Sequence, residues 1–114
     1  MNKRDRSLLE DMATYAADAI ELLGDLDSAA LQSDKRARYA VIYAIEVIGE
    51  AAAKVSAETR ATLQTLPWRE AIGMRNILIH AYNELDLTTV VKVVREHLPP
   101  LIADLRDALR EDSA

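Results

Sequence analysis

Apolar residues recur at helical spacing along the whole chain, and this period constrains the fold more than any other feature. The first stripe runs Leu8, Leu9, Met12, Tyr15, Ala16, Ala19, Ile20, Leu23 and Leu26, with Ser7 and Glu10 at capping-box spacing before it. Gly24 and the segment 25–33 end it. A second helix is predicted from about Asp34 to Val55. Val41, Ala44, Ile45, Ile48, Ala51, Ala52 and Val55 form one face, and Ile42 and Val47 broaden it. A face that wide contacts more than one neighbour. Gly49, beside Ala51, Ala52 and Ala53, suggests close approach of another helix. A short helical turn follows Ser56. Pro67 opens a third helix through Trp68, Ala71, Ile72, Ile77 and Leu78, since proline suits a first turn. Asn83–Asp86 breaks the pattern, and Asp86 caps a fourth helix bearing Leu87, Val90, Val91, Val94 and Leu98. Pro99-Pro100 is expected to kink or split that helix before Leu101, Ile102, Leu105 and Leu109 continue the stripe. The sum is an all-α antiparallel bundle of four to five helices.

Composition sets the remaining bounds. The 114 residues fit one domain, 1–114, and half of them are apolar. Without Phe, and with five aromatic residues in all, the core must be Leu, Ile, Val and Ala. Alanine faces let helices approach closely and often need a partner subunit to complete burial. No cysteine is present, so disulfides and thiolate metal sites are excluded. The N-terminal MNKRDRSLLED lacks the apolar run of a signal peptide. No apolar run approaches the roughly 20 residues of a membrane span. The expectation is a soluble cytoplasmic protein. A net charge of −5 argues against coating nucleic acid by bulk electrostatics, yet positive charge clusters at Lys3/Arg4/Arg6, Lys35/Arg36/Arg38 and Arg69/Arg75.

The third helix carries an unusual polar group in "MRNILIHAY": Arg75, Asn76, His80 and Tyr82. On an ideal helix Arg75 and His80 point about 140° apart. Convergence therefore requires the helix to loosen before His80, the Arg side chain to curl round, or the site to be shared across a dimer axis. Arginine offers a fixed fork of donors for phosphate oxygens. Histidine, with an unperturbed pKa of about 6.5, moves protons at neutral pH. Together they form a minimal set for phosphodiester cleavage. RNA brings its own nucleophile, the 2′-hydroxyl, so no metal or other cofactor is required. Taken alone, the pair is more commonly the pattern of a salt-bridged Arg and a His at a helix C-terminus.

The stretch "LPWREAIGMRNILIHAYNELDL", residues 66–87, resembles the HepT-like branch of the HEPN superfamily. Pro67-Trp68-Arg69, Ile72-Gly73-Met74-Arg75-Asn76 and His80-Ala81-Tyr82 reproduce its R-x-x-x-x-H-x-Y motif in the usual flanks. "IEVIGEAA", residues 45–52, matches the second-helix signature, and Arg4-Asp5 and Asp86-Leu87 also agree. The resemblance spans nearly the whole chain; the Pro99-Pro100 pair is its loosest point. It implies a HEPN bundle that forms a homodimer. It further implies a metal-independent ribonuclease toxin whose partner is MntA, a minimal nucleotidyltransferase antitoxin that transfers AMP to the motif tyrosine. On that resemblance Arg75 and His80 are catalytic, Asn76 orients the Arg or the substrate phosphate, and Tyr82 accepts AMP. The runner-up is a non-catalytic HEPN dimer that binds nucleotide or its nucleotidyltransferase partner. A third reading, a scaffold dimer, has no use for Arg75, His80 and Tyr82 together.

Other residues are weighed beside these. Glu46 and Glu50 are four apart and share a helix face, from which they could orient Arg75 or serve as structural ion pairs. They lack the supporting ligands of a metal site. Trp68 reads as a core or interface plug, His97 as an exposed residue near a helix end, and Tyr15, Tyr39 and Tyr43 as boundary packing. Lys35, Arg36 and Arg38 are the remaining candidates for an RNA-backbone contact.

Overall fold

The computed structural model describes residues 1–76 and 86–113. Among the described residues the ordered elements are all helical, as the apolar period requires. They are α1 (Lys3–Leu23), α2 (Ser28–Ser33), α3 (Lys35–Lys54), α4 (Ala57–Thr62), α5 (Trp68–Gly73) with a 3₁₀ turn at Met74–Asn76, α6 (Leu87–Lys92), a π turn at Val93–His97, and α7 (Leu98–Ser113).

Helix α1 lies at the centre, packed against α3 on one side and α7 on the other. Leu9, Met12, Ala16, Ala19 and Leu23 bury its inner face against Val41, Ile45 and Ile48 of α3 and Leu98, Leu101 and Leu105 of α7. The ends fix the antiparallel order. At one end, Arg6 donates to the Leu109 carbonyl at 3.2 Å and pairs with Asp112 at 2.8 Å, which seats a cation at the last turn of α7. At the other, Arg95 donates to the carbonyls of Gly24 at 3.3 Å and Leu26 at 2.7 Å. Gly24 ends α1 with φ at +53°, a left-handed conformation suited to glycine, and its N–H returns to the Ile20 carbonyl.

The structure corrects three boundaries. Helix α1 begins at Lys3 rather than near Ser7, because the Asn2 side chain accepts from the Asp5 N–H at 2.7 Å and caps the helix upstream. The segment after Gly24 is more than a break: Asp27 caps the short α2, which buries Leu31 completely against the core. Residues 87–113 are not split at the prolines. Pro99 and Pro100 cannot donate to the carbonyls four residues back, and the chain meets this with the π turn just before them. There the Leu98 N–H reaches the Val93 carbonyl, five residues away. Val94, Leu98, Leu101 and Leu105 stay on the buried face across it. Asp86 caps α6 as expected, and Asp34, expected as the approximate start of its helix, is the cap of α3; each accepts from the backbone N–H three residues on.

Asp5 locks the frame. It is wholly buried, and it accepts from the Ser56 N–H at 3.1 Å, the Ser56 hydroxyl at 2.6 Å and the Thr59 hydroxyl at 2.6 Å. Ser56 is also the N-cap of α4, so a single carboxylate joins the start of α1 to the α3–α4 corner. Burial alone pushes the Asp5 carboxyl up. The Ser56 and Thr59 donors, with Arg4 nearby, outweigh burial and hold it below the ordinary carboxylate range. A depressed folded-state pKa stabilises the fold above the unfolded value of about 3.9 and loses that stabilisation as pH falls through the folded value. Asp5→Asn is therefore expected to cost about 2 kcal/mol at neutral pH. In urea unfolding, the gap between variant and wild type should narrow as pH is lowered below about 4. A gap that stays constant with pH would assign the loss to shape rather than charge.

Candidate functional site

Arg75 stands in the 3₁₀ turn Met74–Asn76 that follows α5 directly. Its position is set from three sides. Pro67 precedes Trp68, whose indole Nε1–H donates to the Leu63 carbonyl at 2.9 Å and ties the start of α5 to the end of α4. Trp68 is half-buried and packs on the core, as a plug does. Ala71 and Met74 are buried and face α3. The third constraint is Gly49. A Cβ at that position would stand 2.5 Å from the Arg75 backbone nitrogen and 2.9 Å from the Arg75 Cβ. The backbone carrying Arg75 thus lies directly on α3, in space that only a missing side chain leaves open. The close approach expected at Gly49 is present, and the element that approaches is the motif turn itself.

The turn projects the Arg75 side chain outward while its backbone is pressed inward. Nη1 lies 3.7 Å from Glu50 Oε1, with the two side chains 43% and 48% exposed. This is an ion pair at the surface, longer than a hydrogen bond and worth no more than about 1 kcal/mol. It aims the guanidinium without immobilising it, so an anion of higher charge density can compete for its donors. Of the two carboxylates singled out on α3, Glu50 is thus the one that meets Arg75. Glu46 lies one turn earlier on the same face of α3, half-buried, and makes no ion pair with the other described residues. Asn76 is exposed beside Arg75. His80 and Tyr82 lie outside the described residues. The α-helical period of α5 ends at Gly73, and Arg75 sits on a tighter turn.

Two features escaped sequence reasoning. Asp5 stands out in the sequence only as part of the Arg4-Asp5 pair, yet it is the buried hub described above. Tyr39 and Tyr43 are not boundary packing: they are 60% and 57% exposed. The available signal was their spacing, since i, i+4 puts both on one helix face away from Val41, Ala44 and Ile45. His97 is exposed as expected, although it sits in the π turn rather than at a helix end.

Gly49→Ala tests the close approach. Helix propensity alone would favour alanine by about 1 kcal/mol. Overlap with the Arg75 backbone should reverse the sign, giving a net loss of about 1–3 kcal/mol in urea unfolding. A stabilised Gly49→Ala variant would show that the turn is free to move off α3.

The sequence was compared with known proteins. Residues 12–108 match the profile of the family described as "Ribonuclease HepT-like". A Methanocaldococcus jannaschii protein named "Putative RNase MJ1380" is 40% identical over 102 residues, covering 89% of this chain and 94% of the relative. A second from the same organism, "Putative RNase MJ0125", is 33% identical over 112 residues and 97% of both chains. "Probable ribonuclease HepT" of Thermococcus cleftensis is 35% identical over 105 residues, covering 89% of this chain and 92% of the relative. No solved structure gives a significant match. Among the described residues no helix is long and apolar enough to cross a membrane. With a profile match over most of its length and relatives matched nearly end to end, the chain belongs to the HepT-like family of the HEPN superfamily.

Proposed function

We propose that this protein is a metal-independent endoribonuclease, acting as the toxin of a HEPN/MNT toxin–antitoxin pair in the cytoplasm. The observation that carries the reading is the family match over residues 12–108, which contains the whole Arg75–Tyr82 motif. The names of the relatives point to RNA as the substrate class. The exposed Arg75 guanidinium, aimed from a fixed turn, is the group such chemistry needs.

The reaction is a transesterification. The substrate 2′-hydroxyl attacks the adjacent phosphorus, and the bond from phosphorus to the 5′-oxygen breaks. Arg75 stabilises negative charge on the non-bridging oxygens. His80 accepts the 2′-hydroxyl proton or supplies one to the leaving 5′-oxygen, and in a homodimer a second copy takes the opposite transfer. The products are a 2′,3′-cyclic phosphate and a 5′-hydroxyl. Asn76, adjacent to Arg75, orients the guanidinium or the phosphate. Glu50 holds the guanidinium in its resting position, and Glu46 on the same face is a supporting residue.

Control follows from Tyr82. An MntA-like nucleotidyltransferase would bring ATP, the tyrosine oxygen would attack its α-phosphorus, and pyrophosphate would leave. The resulting AMP puts an anion and a nucleoside two residues from His80. It competes for Arg75 and repels the RNA backbone, an off switch by charge and bulk.

Purified protein incubated with total RNA, with and without chelator, should give cyclic-phosphate and 5′-hydroxyl ends in both cases. Arg75→Ala and His80→Ala should each lower cleavage at least about 100-fold and relieve growth inhibition while the protein stays folded. Equal cleavage by wild type and both variants would remove the catalytic assignment. No cleavage by any of them, with RNA or nucleotide still bound through Arg75, would favour the non-catalytic dimer. In a separate measurement, the cognate nucleotidyltransferase with ATP should add the mass of AMP at Tyr82. An unchanged Tyr82 peptide, with the transferase demonstrably active, would reject the switch.

A further inference from the structure

We propose that the outer face of α3 is a base-stacking platform that leads single-stranded RNA to Arg75. The inference rests on the ribonuclease reading and assigns the substrate subsite that reading leaves open.

Tyr39 and Tyr43 are the most exposed of the large hydrophobic side chains among the described residues. Neither ring is free to swing at random. Tyr43 meets the half-buried Tyr15 of α1 edge to face, with centroids 6.2 Å apart and planes at 68°. The Arg38 guanidinium carbon and the Lys35 ammonium lie over the Tyr39 ring, 5.3 Å and 5.9 Å from its centre, so a base that stacks there takes the place of a cation, which is then released to a phosphate. Rings held in place by neighbours lose little freedom when a base stacks on them, and an edge-to-face contact with a single neighbour leaves at least one face of Tyr43 clear of it. Cations beside a stacking ring are the arrangement by which proteins hold single strands, the rings taking bases and the charges taking phosphates. Lys35, Arg36 and Arg38 form this cluster on a chain whose net charge is −5, so the positive charge is local.

The direction of the platform comes from helix geometry. Tyr39, Tyr43, Glu46 and Glu50 succeed one another at spacings of four, three and four, one continuous stripe on an α-helix. From Tyr39 to Glu50 the stripe runs about 16 Å along the axis. It ends at the carboxylate that pairs with Arg75. The two glutamates fix which side of the strand faces the helix. Carboxylates repel phosphates but accept from the exocyclic amino groups of bases. A strand on this stripe therefore turns its bases toward α3 and its phosphates outward, until a phosphate reaches Arg75 and displaces Glu50.

The test uses the full chain, with Tyr39→Ala/Tyr43→Ala and Tyr39→Phe/Tyr43→Phe double variants. Binding is read by anisotropy at fixed salt, with a labelled 2′-O-methyl RNA strand that lacks the attacking hydroxyl and so stays intact. The alanine pair should weaken binding at least about tenfold, and the phenylalanine pair should hold it within about threefold, because stacking needs the ring and not its hydroxyl. An abasic strand of equal length should bind wild type and alanine variant alike. In cleavage of RNA, the alanine loss should fall mainly on KM. Equal binding of the intact strand by wild type and alanine variant overturns the platform. So does a change of oligomeric state in the alanine variant, which would make the face a contact between copies. If wild type cuts RNA and the alanine variant cuts it with unchanged KM, the ribonuclease reading stands and the platform falls. If wild type neither binds nor cuts RNA, both fall.

Discussion

The contact between the Arg75 backbone and Gly49 is the constraint on which the site depends. Any side chain at position 49 would occupy the place of the motif turn. Helix α3 is otherwise a good helix, with alanines at 51, 52 and 53, and a central glycine weakens it by about 1 kcal/mol relative to alanine. That local loss is what lets the turn descend onto α3. The descent in turn puts the Arg75 side chain at the height of Glu50, the residue after Gly49. The spacing of glycine and glutamate on one helix therefore sets both where the arginine backbone rests and what its head group meets.

A turn seated on a helix is only as well placed as that helix. Helix α3 is held by α1, and α1 by Asp5 at the α3–α4 corner and by Arg6 at the end of α7. The two work differently. Asp5 is buried and fully served by donors, so removing its charge leaves Ser56 and Thr59 without their acceptor. Arg6 is part-exposed, and its pairs with Asp112 and Glu10 are individually weak. The rigid connection from the N-terminus to the site therefore runs through Asp5, Ser56 and α4. Trp68 continues it, hydrogen-bonded to Leu63 at the end of α4 and opening α5.

The helices were legible because burial imposes a period that survives any detail of packing. Val41, Ala44, Ile45, Ile48 and Ala52 could be read off as one face, and they are buried as one face. The cap at Asp86 was legible because the interaction is local, spanning three residues. What the sequence concealed was non-local or competitive. The Arg4-Asp5 pair stands out by resemblance, but the burial of Asp5 could not be read without knowing that Ser56 and Thr59 arrive beside it. Ser7 offered a plausible cap, but Asn2 won because the helix gains another turn by starting earlier. The prolines read as a kink or a split, and which of the two could not be told locally; a single π turn absorbs their missing donors without a split and keeps the packing of Leu101 and Leu105. At the site, Glu50 and Gly49 were both singled out, but which element approached them was fixed only by the fold.

The charge distribution explains why such a site would be built from few, short-range contacts. An acidic body repels a polyanion at long range, so an RNA strand is held only where local groups overcome the general field. Arg75 alone is insufficient for this, since Glu50 offsets part of its charge at 3.7 Å. The same offset has a use. A guanidinium resting on a carboxylate stays solvated and aimed, and it exchanges that partner for a phosphate without first being desolvated. Stacking on neutral rings adds attraction that the overall negative charge does not weaken. On the proposed reading the combination would favour strands whose bases are already unpaired, because a duplex would present mainly phosphates to α3, and the carboxylates of Glu46 and Glu50 would repel them.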